Sequence, residues 1–473
     1  MNASAQSLSM DDILVAQKSA FLKSPMPDLH QRKETLTQLK KAILAHHNQL
    51  ADALMQDFGC RSREETKLAE IMPSVQAINY CLKHLKQWMK PSRRHVGIHY
   101  QPASASVRYQ PVGVVGIIVP WNYPVFLTLG PLITALAAGN RAMIKLSEFT
   151  PCTNGVIEKM LSEVFTLEEV AIVTGEADVA AAFSALPFDH LLFTGSTGVG
   201  KHVMKAAANN LTPVTLELGG KSPALIAPGM DMTEVADRLI FGKSLNSGQT
   251  CVAPDYILCP ERLVEELKDA FKACYQRFYP SLENCSQSTS IINQRHYLRL
   301  RGLLDEAEEQ GAEVINLANE TVQQLEKERK LPLHLVLNVT EEMRLMKEEL
   351  FGPILPIVTY KTISDALAYV QYRPRPLALY LFTHDKDLQK DVLEQTHAGG
   401  VCINECVFHV AQDDLPFGGI GESGMGHYHG HEGFLTMSHA KSVYKKGKIN
   451  SATLIYPPYK EKILSLLSRL LLR

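Results

Sequence analysis

The 473-residue chain lacks a charge excess, paired cysteines, repeats and uninterrupted apolar runs, and each absence excludes something. Lys plus Arg number 48 against 50 Asp plus Glu, a formal charge of −2. That balance removes the electrostatic reason to expect nucleic acid or an anionic membrane as the main partner. The nine cysteines are scattered with no CxxC pair. A disulfide scaffold is therefore not expected, and the thiols point to a reduced, cytoplasmic setting. No internal repeat, low-complexity tract or Gly/Ser linker is visible, so tightly packed domains that exchange chain segments are expected. Residues 1–12 show no basic stretch leading into an apolar core, hence no secretory leader is expected. Between Arg108 and Arg141 lie 32 uncharged residues, enough to cross a bilayer, but Pro111, Pro120, Pro124 and Pro131 fall within them. A buried strand, a loop and a buried helix explain that run better, and no stable membrane insertion is expected.

What is present reads as α/β. The first ninety residues are helical in pattern: Leu36, Leu39 and Ile43 recur among charged neighbours and define one apolar stripe. Residues 96–112 alternate and read as a strand hairpin, with the basic run Lys90 to Arg94 as its solvated lead-in. From Pro111 onward apolar runs at 112–119, 141–146, 170–173, 190–193 and 214–218 alternate with helical segments such as 126–138 and 153–165. That alternation implies a parallel sheet covered on both faces. A second α/β region follows to about 404, with the charge-rich segment 305–330 read as an exposed helix and loop.

Several segments could carry chemistry. Phe193-Thr-Gly-Ser-Thr-Gly-Val-Gly-Lys201 places Gly195, Gly198 and Gly200 between a strand and a helix expected from Lys201 to Asn209. Such a turn can hold a phosphate, although the spacing is not the usual G-x-G-x-x-G, and a plain tight turn is equally consistent. Cys251, in Gly248-Gln-Thr-Cys251, is a candidate nucleophile, set against the common role of free cysteine as a small buried hydrophobe. Glu217 ends an apolar strand just before Gly219-Gly220. It is either a general base with a raised pKa or a carboxylate satisfied by glycine N–H groups, and the segment alone favours the second. Asn122, in Pro120-Trp-Asn-Tyr-Pro124, follows a strand and could donate to an oxyanion or serve as a turn residue. Alternating His427, His429 and His431 would share a face on a strand, but no further ligand type lies nearby. A packed loop is preferred there, and no metal is expected; Cys402 and Cys406 make no convincing pair either.

Together these segments resemble a known family. The two motifs above, with Lys145-Leu-Ser-Glu148, Phe193-Thr-Gly-Ser196, Leu216-Glu-Leu-Gly-Gly-Lys221, Glu349-Leu-Phe-Gly-Pro353 and Pro416-Phe-Gly-Gly419, occur in the order of the NAD(P)-dependent aldehyde dehydrogenase superfamily and cover nearly the whole chain. Gly421-Glu-Ser-Gly-Met-Gly-His-Tyr-His-Gly430 and Ser438-His-Ala-Lys-Ser-Val443 resemble its class 3 branch, which includes fatty, aromatic and coniferyl aldehyde dehydrogenases. The resemblance implies oxidation of an aldehyde, hydroxycinnamic or medium- to long-chain aliphatic, to its acid. Cys251 would attack, Asn122 would stabilise the oxyanion and Glu217 would activate water. It implies NAD as cofactor, with NADP possible, since Glu148 would repel a 2′-phosphate. Lys145 and Glu148 would sit at the adenosine ribose, Ser196 near the pyrophosphate, and Glu349 with Phe351 at the nicotinamide ribose. Trp121, Gly195, Val199 and Gly200 complete the implied cofactor set. Leu146 stands where the family often has proline.

The implied fold is a Rossmann-like parallel-sheet cofactor domain (1–91 and 110–216), a second α/β catalytic domain (217–405) and a small β bridging and oligomerisation unit (92–109 and 406–445). A tail, 446–473, carries an amphipathic helix. That helix is expected to dock near the substrate mouth, against the rival readings of a lid and a peripheral membrane contact using Arg469 and Arg473. A homodimer is implied. Rival functions are transfer of the acyl group to coenzyme A, which the presence of Glu217 opposes, and a catalytically silent protein of the same fold.

Overall fold

A computed structural model describes residues 8–472 except 284. The first seven residues of the segment read for a leader, and Arg473 of the tail, lie outside the described residues. Helices Met10–Lys23, Leu29–Phe58 and Met72–Trp88 build the N-terminal layer. The longest starts at Asp28, whose carboxylate accepts the Gln31 N–H while the Gln31 side chain returns to the Asp28 N–H. Leu36, Leu39, Ile43, Leu50, Leu54 and Phe58 along it are fully buried, the stripe expected from their spacing.

Strand β1 (Ser92–Arg94) pairs antiparallel with β2 (Ala103–Pro111). The basic run is solvated as expected but is itself partly strand: Arg93 and Arg94 use backbone pairing while their side chains stay in water. The five apolar runs form β3 (Val114–Ile118), β4 (Arg141–Lys145), β5 (Val170–Val173), β6 (His190–Thr194) and β7 (Val214–Glu217), all parallel. Pro124–Ala138 between β3 and β4 is a helix buried almost all round, which accounts for the long uncharged stretch. Among the described residues no helix is long and apolar enough to cross a membrane.

The second sheet comprises β8 (Pro223–Ile226), β9 (Tyr256–Pro260), β10 (Glu313–Asn316), β11 (His334–Leu337), β12 (Ile354–Tyr360), β13 (Ala378–Phe382) and β14 (Gly400–Ile403). Its order is β10-β11-β12-β9-β8-β13-β14, parallel except for β10 against β11. The charge-rich segment 305–330 is therefore corrected: its middle is an antiparallel edge strand, where polar side chains such as Glu313 suit the unpaired side.

The tail divides between two sheets. β15 (Gly424–Met425) lies antiparallel to β7, opposite Glu217 and Leu216, so the first sheet reads β15-β7-β6-β3-β4-β5. β16 (Ser438–Lys446) pairs along the whole of β2 to complete the three-stranded unit. The glycines of the loop permit this return: a Cβ at Gly419 would lie 2.0 Å from the Ser423 carbonyl oxygen, and one at Gly424 2.2 Å from that of Leu216.

The expected docking of the C-terminal helix is overturned. Glu461–Leu471 is helical and amphipathic, but none of its residues is buried, and Leu466, Leu470 and Leu471 are more than half exposed. Spacing fixes an apolar face without supplying a surface to receive it. Deleting residues after Tyr459 should therefore leave the monomer's thermal unfolding midpoint unchanged within error; a clear fall would show that the helix packs on the body.

Candidate active site

In the six-stranded sheet the chain runs from β3 to β5 on one side and crosses to β6 and β7 on the other. The C-terminal ends of β3 and β6 therefore flank a switch point, where open α/β sheets take ligands. β3 leads into Trp121 and Asn122, β4 ends on Lys145 shortly before Glu148, β6 leads to Gly195 and Ser196, and β7 ends on Glu217. The sequence-predicted residues converge because they follow parallel strands.

The Lys145 ammonium is almost fully buried and lies 3.4 Å from Glu148 Oε2. Ser196 caps helix Thr197–Ala208 by accepting the Val199 N–H, and in front of that helix a Cβ at Gly198 would meet nothing within 4 Å. Gly195 and Gly200 have different reasons: added Cβ atoms would strike the Phe193 ring at 2.5 Å and Leu218 at 2.7 Å, so both serve packing. Gly419-Ile-Gly421-Glu-Ser-Gly424 has the dinucleotide spacing, yet its glycines face their own backbone and an arginine side chain.

Glu349 lies over Gly219, where a Cβ would come within 2.2 Å of either carboxylate oxygen. Burial, with Asp255 nearby, pushes its carboxyl up to about 7. Phe351 adopts φ +49°, a costly conformation for a bulky residue. Its ring meets Trp121 edge-on at 5.3 Å, and His296 lies 5.3 Å from the same indole. Lys221, unassigned from the sequence, holds this loop: it pairs with Asp255 and donates to the carbonyls of Leu345 (2.8 Å) and Glu348 (3.0 Å). The other Asp255 oxygen accepts the Leu350 N–H at 2.9 Å. An open helix N-terminus for a pyrophosphate and carboxylates at Glu148 and Glu349 for ribose hydroxyls fit a dinucleotide.

Cys251 and Glu217 line one cavity of about 350 Å³ with Leu68, Phe126, Leu127, Phe241, Val252, Val407, Phe408, Phe417, Tyr428 and His429. Glu217 is buried and neither carboxylate oxygen has a hydrogen-bond partner, which removes the reading in which glycine N–H groups satisfy it. Burial alone holds its pKa well above the usual carboxylate range, as a base working near neutrality requires. Burial, then Glu349 and Glu217, pushes the Cys251 thiol up to about 12, while the N–H groups of Cys251 and Val252 favour the thiolate. The Asn122 amide is buried; its Nδ2 donates to the Gln249 carbonyl at 3.1 Å and retains a second hydrogen.

Sequence reasoning missed the buttress beneath these groups. Arg61 donates to the Asn122 carbonyl at 2.8 Å and pairs with Glu70 at 2.9 Å, both side chains being fully buried. Glu70 also accepts the N–H groups of Val125 (2.7 Å) and Phe126 (3.0 Å), capping the helix that follows Asn122. It projects from a π-helical turn, Lys67–Ile71, of a kind often found at functional sites. On the cysteine side, Asn246 and Ser247 are both left-handed. Glu65 accepts the Asn246 N–H, and the Asn246 amide donates to the carbonyls of Asn122 and Gln249. Buried Gln249 accepts from Ile292 and donates to Asn246 and Ser290.

The histidines do not share a strand face. His431 stacks on Trp88 at 5.7 Å, whereas His429 enters the cavity. Among the described residues no group of three or more candidate ligands could hold a metal ion.

Two outcomes test this geometry. Arg61→Met leaves Glu70 buried and unpaired, so about 3–5 kcal/mol of stability should be lost in chemical denaturation, with kcat falling more than KM rises. Loss of activity to iodoacetamide, without cofactor, should accelerate about tenfold per pH unit from roughly pH 7 to pH 9. The raised thiol pKa requires that slope, and a pH-independent rate would contradict it.

Comparison with known proteins gives a consistent result. The profile described as "Aldehyde dehydrogenase family" matches residues 3–443. A Pseudomonas aeruginosa protein described as "Probable coniferyl aldehyde dehydrogenase" is 55% identical over 464 residues, covering 98% of this chain and 96% of its own. A structure described as the "Substrate bound state of Staphylococcus Aureus AldH" superposes with a TM-score of 0.93 at 36% identity, covering 98% of this chain and all of that one. The Mycobacterium tuberculosis aldehyde dehydrogenase complexed with NAD+ superposes with a TM-score of 0.82 at 28% identity, covering 92% and 89%.

Proposed function

The chain belongs to the aldehyde dehydrogenase family, and from that premise we propose that it oxidises an aryl-propenal of the coniferyl aldehyde class to its acid, with NAD as cofactor. The observation that carries the reading is a buried, unpartnered carboxylate at Glu217 in the same cavity as the Cys251 thiol.

The Cys251 thiol gives up its proton to water as its sulfur attacks the carbonyl carbon, and the carbonyl oxygen becomes an oxyanion. The free hydrogen on Asn122 Nδ2 and the Cys251 N–H stabilise that charge. Bound NAD would supply the hydride acceptor; with the hydride gone, the former carbonyl carbon remains on Cys251 as a thioester. Glu217 takes a proton from water as the water oxygen attacks the thioester, and the acid leaves with the cysteine sulfur restored. Lys145, Glu148, Ser196, Val199, Glu349 and Phe351 would hold the cofactor, with Trp121 packed beside Phe351. Gly195 and Gly200 shape the turn below it. The Glu148 carboxylate favours NAD over NADP.

The substrate class rests on two supports. The cavity is lined by aromatic and branched aliphatic side chains, which suit a flat apolar body, and the Pseudomonas aeruginosa relative carries coniferyl aldehyde in its description. The same reading carries a homodimer and a cytoplasmic location.

Cys251→Ala should abolish aldehyde-dependent NADH formation while NAD binding is retained. Glu217→Gln should give one burst of NADH followed by a slow steady state, because only hydrolysis loses its base. Asn122→Ala should lower kcat on the order of 10²–10³-fold. Repeating these assays with coenzyme A separates water from a thiol acceptor, since acceleration of steady-state NADH release by coenzyme A would support acyl transfer.

A further inference from the structure

Only a few polar groups interrupt the apolar wall of the substrate cavity beyond Cys251 and Glu217, and two of them stand next to each other in the chain. The Tyr428 hydroxyl is buried without a partner. The His429 ring stands edge-on to that of Tyr428 at 4.6 Å, and His409, in the short helix Phe408–Ala411, is close enough to act on it electrostatically. The His429 ring also stacks on Phe417 at 5.2 Å, stands edge-on to Phe126 at 6.2 Å, and is mostly withdrawn from solvent. Neither ring nitrogen has a hydrogen-bond partner.

An imidazole with both nitrogens buried and unpaired is unusual, because buried polar groups are ordinarily satisfied. Its backbone does have a structural task, as the His429 carbonyl accepts the Gly433 N–H at 2.8 Å at the start of helix Gly430–Thr436. That task needs no ring nitrogen. Burial holds the ring neutral, with its pKa lowered to about 4. A neutral imidazole offers one donor and one acceptor, which matches a hydroxyl group that can do both.

We propose that His429 reads the end of the substrate remote from the aldehyde, by hydrogen-bonding a hydroxyl carried on an otherwise flat, apolar body. The inference rests on the function proposed above and specifies its selectivity. Phe126 and Phe417 hold the ring of the body, and His429 supplies the polar contact that an unsubstituted aryl or alkyl chain leaves empty. Such a site discriminates against an analogue lacking the hydroxyl because its own buried group then stays unpaired.

The test compares 4-hydroxycinnamaldehyde with cinnamaldehyde, which differ by one hydroxyl, through the ratio of their kcat/KM values. The wild-type enzyme should favour the hydroxylated aldehyde by about tenfold or more. His429→Phe should lower that ratio by about tenfold. His429→Gln, which keeps a donor and an acceptor, should preserve most of the preference. Because the ratio is taken within one protein, losses from misfolding cancel. A wild-type ratio near one, or a ratio unchanged in His429→Phe, overturns the inference and leaves the proposed function standing. Failure of the wild-type enzyme to oxidise any aldehyde overturns the proposed function, and the inference with it.

Discussion

A buried ion pair, Arg61 with Glu70, is the constraint on which the catalytic geometry depends. Both side chains are removed from water, a costly arrangement unless hydrogen bonds complete it. Here they do. Arg61 spends a donor on the Asn122 carbonyl, and Glu70 receives the two N–H groups at the start of helix Pro124–Ala138. The Arg61 guanidinium also lies over the rings of Phe58 and Tyr123. The pair thus ties the N-terminal helices to the segment that carries the proposed oxyanion donor. Tyr123 continues the connection through its hydroxyl to Thr250, one residue before the cysteine.

The site is assembled from two sheets that do not share strands, so it needs struts that cross between them. One is the Asn122–Asn246–Gln249 network, joining the end of β3 to the cysteine loop. The other is Lys221 with Asp255, which fixes the loop bearing Glu349 against the start of the second sheet. Each strut uses a buried polar group with nearly all its partners supplied. Glu217, Tyr428 and His429 are among the groups left unsatisfied, and all three face the cavity.

Much of this was legible in the sequence, for a physical reason. Residues that follow apolar parallel strands arrive at one edge of the sheet, which pattern alone suggested for Asn122, while Lys145, Glu148, Ser196 and the role of Glu217 became legible only through the resemblance to the aldehyde dehydrogenases. The buttress could not. Glu70 and Arg61 sit among ordinary helical charges, and only the π-helical turn and contacts about 55 to 60 residues away in sequence give them meaning. His429 looked like part of a packed loop because a histidine's surroundings are set by remote chain, here Phe126 and Phe417. Strand β10 was hidden by the polarity proper to an edge. The terminal helix misled in the opposite sense, its periodicity being real and its docking partner absent from the monomer.

β7, which ends on the proposed general base, is an edge strand of its sheet until β15 arrives from more than two hundred residues further along. On the ribosome, the first sheet can therefore form while its last ladder position stays open. The growing chain carries an exposed strand edge, a template for mispairing, through synthesis of the whole second sheet. A premature stop anywhere before Gly424 yields not a weaker enzyme but one whose base-bearing strand has never been closed. The strand that bears Glu217 is thus completed only by chain from the last tenth of the sequence.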